Sequence, residues 1–286
     1  MSRDTPVTPG QVKEITAFSN PVIKDIRALA LKKNRDASSR FVAEGLKLLT
    51  DALEGGWTIH IVIYAKQIAD NPKVQAAASR ARVKGALIIE TSEKLLSGIT
   101  RRDNPQMVVS VIGQRWQPVE SIAPDADDMW IALDRVRDPG NLGTIIRTAD
   151  CAGASGILLI GETTDPWSME AVRASMGSIF HVPVAHADEG DFLEWRKSWP
   201  GIVVGTHLDG ETDYRSLDPE DQPVLLLMGN EQQGLPETLT QICDHLCQIP
   251  MAGQADSLNL AVATGIMTFE LRRHALQFAS PAGATS

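Results

Sequence analysis

The stretch MWIALDRVRDPGNLGTIIRTADCAGASGILLIG, residues 129–161, decides how the fold is read. Its two ends, MWIALD (129–134) and GILLIG (156–161), are continuous apolar runs, the pattern of strands covered on both faces of a parallel sheet. Between them Asp138-Pro139-Gly140 makes a turn and Asn141 stands where a helix cap is expected. LGTIIRTADCAG then places Ile145, Ala149 and Ala152 on one helical stripe. Arg147 lies about 200° from Ile145, on the opposite face, where an arginine without further context is an exposed helix residue.

The alternation continues downstream. HVPVA (181–185), GIVVGTHL (201–208), PVLLLMG (223–229) and HLCQIP (245–250) read as strands. WSMEAVRASMGS, DFLEWRKSW and PETLTQICD read as the helices between them. The segment SLNLAVATGIMTFELRRHAL reads as a long closing helix, with apolar residues on more than one face (Leu258, Leu260, Val262, Ile266, Met267, Phe269, Leu271). The fold class is α/β with a parallel sheet, in which ligands are expected at strand C-termini. Two loops there are polar and glycine-rich. LLLMGNEQQGLP leads into Gly229, Asn230 and Glu231, then Gly234, without the Lys-Ser/Thr ending of a phosphate loop. IPMAGQADSLNLAVA gathers Asp256, Ser257 and Asn259 at a helix start, and capping accounts for only one of the three.

Upstream, GQRWQPVESIAPDADD (113–128) has two prolines and four acidic residues, the composition of a linker. Residues 1–112 read as a smaller α/β/α domain. Its helices are VIKDIRALALKK, FVAEGLKLLTDALEGG and VQAAASRARVKG, and its strands are IHIVIYA, ALIIE and MVVSVIG. The net charge of −9, from 27 Lys+Arg and 36 Asp+Glu, argues against a polyanionic partner until it is divided. Residues 1–112 carry 17 basic and 11 acidic side chains, +6; residues 113–286 carry 10 and 25, −15. Lys24, Arg27, Lys32, Lys33, Arg35 and Arg40 fall in the most basic part, where contacts to RNA phosphate and a solvated helix face are both open readings. The tail 279–286 reads as flexible. Three cysteines (Cys151, Cys243, Cys247) are too few for a disulfide framework and suit a reducing compartment. No apolar run approaches the roughly 18 residues of a membrane span. CDHLC (243–247) lacks a second ligand pair at metal spacing, so no metal is expected.

Three motifs in order, DPGNLGTIIRTADCAG, LLLMGNEQQGLP and IPMAGQADSLNLAVATGI, together with AVRASMGSIFHVPV, resemble the SpoU (TrmH-type) RNA 2′-O-ribose methyltransferases of the SPOUT class. SNPVIKDIRALALKKNR…FVAEGLKLL is similar, more loosely, to that family's ribosomal-protein-like substrate-binding domain. The resemblance implies a trefoil-knotted catalytic domain over 129–278, S-adenosylmethionine as cofactor, RNA as substrate, a cytoplasmic enzyme and a homodimer paired through its C-terminal domain. It implies catalytic roles for Asn141, Arg147, Glu231, Ser257 and Asn259. It places the cofactor against Thr206, His207 and Leu208, Met228, Gly229, Asn230, Glu231 and Gly234, and Ile249, Met251, Ser257 and Leu258. Arginine is an awkward base at neutral pH, so Arg147 is read as stabilising a developing alkoxide. Ribosomal RNA is the expected substrate; transfer RNA, or a catalytically silent RNA-binding role in ribosome assembly, are the alternatives.

Overall fold

The computed structural model describes residues 8–219 and 221–276, so the sequence reading of 279–286 lies outside the described residues. Two compact units divide the chain, and they do not follow chain order. One runs up to Arg115 and takes in Asp165–His181; the other comprises Trp116–Thr164 and the chain from Val182 onward.

In the first unit, β1 (Val12–Glu14) precedes α1 (Pro21–Ala28), which Asn20 caps by accepting from the Val22 amide at 3.0 Å. The continuous helix expected through VIKDIRALALKK breaks here. Leu31 is extended, and the chain restarts as α2 (Lys32–Ser38). Arg35 stabilises the break, its guanidinium donating to the carbonyls of Leu29 (2.8 Å) and Ala30 (3.0 Å). FVAE is likewise no helix but β2 (Arg40–Glu44), with Phe41, Val42 and Ala43 buried. Gly45, at φ +109°, turns the chain from that strand into α3 (Leu46–Glu54). β3 (Ile59–Ala65), α4 (Pro72–Val83), β4 (Leu87–Thr91), α5 (Glu93–Thr100) and β5 (Val108–Gly113) complete a five-stranded sheet in the order β1-β4-β3-β5-β2. β1, β4 and β3 run parallel, and β5 is antiparallel to both β3 and β2.

The second unit holds β6 (Met129–Asp134), α6 (Pro139–Ala152) and β7 (Gly156–Ile160). The crossover to the next strand carries α7 (Met169–Ala174), which belongs to the first unit. Then follow β8 (Val184–Ala187), α8 (Glu189–Arg196), β9 (Ile202–Thr206), the two-residue β10 (Thr212–Asp213), β11 (Val224–Met228), α9 (Glu237–Thr240), β12 (His245–Gln248) and α10 (Leu260–Leu271). The sheet order is β10-β12-β9-β11-β6-β7-β8 and every pairing is parallel. Trp130, Leu158, Val203, Leu225 and Leu227 point into one core with Phe192 and Trp199 from the α8 side. That double-sided burial is why the strands read as unbroken apolar runs. α10 is shorter than its apolar pattern suggests because Asn259 caps it, accepting from the amides of Ala261 (2.9 Å) and Val262 (3.3 Å).

Residues 165–181 are fastened into the first unit by aromatic packing and buried charge. Trp167 lies 5.0 Å from Phe41 and 5.8 Å from Trp57, ring centre to ring centre, and Trp57 Nε1 donates to the Phe180 carbonyl at 3.0 Å. Arg35, expected among the RNA contacts, is 5% exposed and gives Nε to Asp165 Oδ2 at 2.7 Å. Its charge is consumed inside the fold, and it does not face a phosphate. Lys24, Arg27, Lys32, Lys33 and Arg40 remain exposed, with Arg27 over the Phe18 ring at 5.7 Å.

Candidate active site

A cavity of about 760 Å³ opens in the second unit at the C-terminal ends of β9, β11 and β12, where a parallel sheet presents its ligand sites. Its walls are the residues after each strand: Thr206–Asp209, Met228–Gly234 and Cys247–Ile249. Met251 and Asp256–Leu260 close it before α10. Glycine is obligatory at 229. A Cβ there would sit 2.2 Å from the Gly234 carbonyl carbon, because Asn230 and Gly234 close the loop with amide-to-carbonyl bonds of 3.2 and 2.9 Å.

Two side chains of that loop hold the turn after β6. Asn230 Nδ2 donates to the Arg135 carbonyl at 2.7 Å, while its Oδ1 accepts from the amides of Gln232 and Gln233. Arg135 adopts φ +46°, an uncommon left-handed conformation for a residue other than glycine. The next residues thereby aim at Glu231, whose carboxylate accepts from the amides of Arg137 (3.2 Å) and Asp138 (3.3 Å) and from Asn141 Nδ2 (3.3 Å). Asn259 Nδ2 in turn donates to Asn141 Oδ1 at 2.9 Å. One polar chain therefore runs from Glu231 through Asn141 to the capping residue of α10.

All twelve residues expected against the cofactor line this cavity, as do Asn141 and Asn259. Arg147 does not. It is exposed on the outer face of α6 and forms no hydrogen bond or ion pair among the described residues. The helix cap is Asp138, not Asn141: Asp138 Oδ1 accepts from the Asn141 amide at 2.6 Å, which frees the Asn141 side chain for Glu231. The bracket that Asn230 forms on Arg135 is not readable from sequence, since nothing local marks a side chain that reaches 95 residues back. The signal that could have found the correct cap was Asp138 directly before Pro139.

Electrostatics at the site are asymmetric. The lining contains the carboxylates of Asp209, Glu231 and Asp256 and no lysine or arginine, with exposed apolar faces from Leu208, Met251 and Leu258. That combination of acceptors and apolar faces suits a ligand that joins a flat apolar group to net positive charge, as the adenine and sulfonium of S-adenosylmethionine do. Beneath the β6 turn Asp134 is buried. Burial raises its pKa, against the opposing effect of hydrogen bonds from Arg135 at 2.9 and 3.1 Å. Burial also pushes the Cys247 thiol in the cavity floor up to about 11, helped by the charge of Asp213. Cys243, whose thiol donates to the Leu239 carbonyl, is pushed up to about 12, by burial first and then by Asp244. Among the described residues no group of three or more His, Cys, Asp and Glu side chains is placed to hold a metal.

Known proteins resemble this chain along nearly its whole length. Residues 128–269 match the model of the SpoU rRNA Methylase family, and residues 20–110 match the MRM3-like substrate binding domain. The chain is 31% identical to the 23S rRNA (guanosine(2553)-2′-O)-methyltransferase RlmP of Bacillus subtilis, over 91% of this chain and 100% of that protein. It is 30% identical to the 23S rRNA (uridine(2479)-2′-O)-methyltransferase of Streptomyces viridochromogenes, over 86% of each. Among solved structures, the AdoMet-bound rRNA methyltransferase from Sinorhizobium meliloti superposes with a TM-score of 0.89 at 56% identity, covering 94% of this chain and all of that one. The SpoU methyltransferase AviRb from Streptomyces viridochromogenes in complex with AdoMet gives 0.80 at 30% identity, over 90% of this chain and 98% of its own. With residues 128–269 and 20–110 each matched and relatives aligned along nearly the whole chain, this chain belongs to the SpoU rRNA methylase family.

Proposed function

We propose that the chain transfers a methyl group from S-adenosylmethionine to a ribose 2′-hydroxyl of ribosomal RNA. The observation that carries this reading is the Glu231–Asn141–Asn259 chain at the mouth of the cavity, together with a lining free of lysine and arginine. S-adenosylmethionine supplies a methyl group on a sulfonium, already an excellent leaving group. The protein's task is therefore alignment and activation of a weakly acidic hydroxyl. Leu208, Ile249, Met251 and Leu258 give the adenine its apolar surface, and the backbone of 228–234 reads its edge. Glu231 accepts from three donors, two backbone amides and the Asn141 side chain, so its role is that of an orienting carboxylate for Asn141. Ser257, exposed at the lip, is free to meet the ribose.

Arg147 stabilises the developing alkoxide electrostatically, the proton leaving to phosphate or water. Since it stands outside its own chain's cavity, this role belongs to a homodimer in which α6 and α10 form the shared face. The exposed Val262 and Phe269 of α10, 52% and 46% accessible, support such pairing. The basic first unit binds the RNA, through Lys24, Arg27, Lys32, Lys33 and Arg40. The trefoil knot is supported by β12 lying between β9 and β10 and by the return of 249–259 to α10, which packs on α6. No helix among the described residues is long and apolar enough to cross a membrane, and a cytoplasmic location follows from the proposed substrate.

The test is incubation with labelled S-adenosylmethionine and separate pools of ribosomal and transfer RNA, followed by mapping of the modified ribose. Label in ribosomal RNA that is lost in Glu231→Gln, with cofactor affinity retained, supports the reading. Label in transfer RNA alone, or on a base, overturns it.

A further inference from the structure

A second cavity, of about 850 Å³, lies in the second unit on the side of β8, away from every residue of the site above. One wall is the segment that follows Arg115, pinned to the edge strand where the Gln117 amide donates to the Val184 carbonyl at 2.9 Å. Trp116 stands 40% exposed on that wall, its ring 6.2 Å from His186 at an interplanar angle of 67°. His186 is itself fixed by a 3.0 Å bond between Nε2 and the Gly161 carbonyl. The opposite wall is α8. Trp195 is half-buried there, set into the core by its neighbours Phe192 at 6.0 Å and Trp199 at 5.5 Å. Two aromatic faces are thus held in place before anything binds.

The charge of the groove has one sign. Glu120 lies on the first wall, and Asp191 and Glu194, three residues apart on one face of α8, lie on the other. All three are exposed, and no lysine or arginine lines the groove; Lys197, beside it, pairs with Glu194. An RNA phosphate would be repelled here. A planar guanidinium, by contrast, stacks on indole and hydrogen-bonds in a fork to carboxylate, which a spherical ammonium does not do.

From this complementarity the geometry points to a docking groove for an arginine side chain of a basic partner polypeptide, separate from the methyl-transfer site. The groove offers indole for the guanidinium plane and carboxylates for its edge. It gives the acidic second unit a use for its charge that RNA binding does not. The inference stands independently of the methyltransferase reading.

Fluorescence polarisation of a labelled eight-residue arginine peptide with the full chain tests it. Saturable binding is expected, weakened at least tenfold by Trp116→Ala and by the double change Asp191→Asn with Glu194→Gln, and largely kept by Trp116→Phe. Glu170→Gln, which removes one charge elsewhere, should change affinity less than twofold. Methylation of protein-free RNA should be unaffected by all of these variants. No saturable binding, equal binding of a lysine peptide of the same length, or losses that track charge with no effect of Trp116→Ala would each overturn the assignment.

Discussion

Asn259 donates from Nδ2 to Oδ1 of Asn141 at 2.9 Å, so the residue that caps α10 also fixes the amide of a residue on α6. The orientations of both amides are then determined. Asn141 Nδ2 is spent on Glu231, and Asn259 Oδ1 is spent on the amides of Ala261 and Val262. No donor faces a donor along the chain, and each member holds the next in one rotamer.

Asn259→Asp is therefore the informative change. An aspartate caps as well as asparagine, so the melting temperature should stay close to that of the parent. Its carboxylate, however, meets Asn141 Oδ1, acceptor against acceptor, and Asn141 must turn. Displacement of a positioning group by about 1 Å costs on the order of a hundredfold in turnover. Single-turnover methylation measured beside thermal unfolding separates the two effects. Wild-type turnover in Asn259→Asp would remove the relay from the mechanism.

The buried pair Arg35–Asp165 predicts a stability effect of a different size. Asp165→Asn leaves a guanidinium 5% exposed with its charge uncompensated, and breaking such pairs costs about 3–5 kcal/mol. Replacing both partners by apolar residues of similar volume should recover only part of that loss, since the Leu29 and Ala30 carbonyls and the Trp167 amide then lose their partners as well. Urea unfolding of the full chain, followed by tryptophan fluorescence, reports both, because Trp167 lies beside the pair and its amide donates to Asp165 Oδ1 at 2.9 Å.

The second unit was legible in the sequence and the first was less so, for physical reasons. Strands buried on both faces leave unbroken runs such as VLLLM and GILLI that no surface requirement interrupts, and the loops after them concentrate the polar residues. In the first unit FVAE abuts a genuine helix across Gly45, and its spacing satisfies helical and extended patterns alike. Arg35 reads as a surface charge because its partner is 130 residues away. Periodicity reports which face of a segment is buried, never against what. Nothing local could therefore place 165–181 with the first unit. In the site, the lining residues were legible as motifs, whereas the donor and acceptor of each bond were not.

RNA attraction should follow the exposed basic residues of the first unit. Deleting residues 1–112 is a poor test, because it strips Trp167 and Phe180 of Phe41 and Trp57. Reversing Lys24 and Lys33 to Glu in the full chain is a better one. RNA affinity at 0.1 M salt should fall at least tenfold, with a shallower salt dependence, while cofactor affinity stays constant. Equal RNA affinity before and after the reversal would place the binding surface elsewhere.

The thiols predict a pH effect with a definite sign. Cys247 and Cys243 are pushed from an ordinary 9.0 to about 11 and about 12 by burial. An acid with a raised folded pKa holds its proton where the unfolded chain has lost it, so stability is full below about pH 9 and declines above it. For Cys247 the loss reaches on the order of 2 kcal/mol by pH 11. Urea midpoints at pH 8 and pH 10 should differ less in Cys247→Ala than in the parent. At pH 8 iodoacetamide should label the exposed Cys151 first, as mass mapping would show.

Arg147 and Glu231 supply the sharpest test of how the site is assembled. Glu231 lines the cavity and Arg147 of the same chain does not. If Arg147 acts across a homodimer, Arg147→Ala and Glu231→Gln disable complementary halves of the site. Each variant alone should be inactive. Mixed one to one and allowed to exchange, half the dimers are heterodimers with one intact site in two, so activity should return to about a quarter of wild type. If Arg147 acts within its own chain, every site in the mixture lacks one group or the other and no activity returns. The mixing experiment reads turnover only, so it distinguishes the two arrangements whatever nucleotide is methylated.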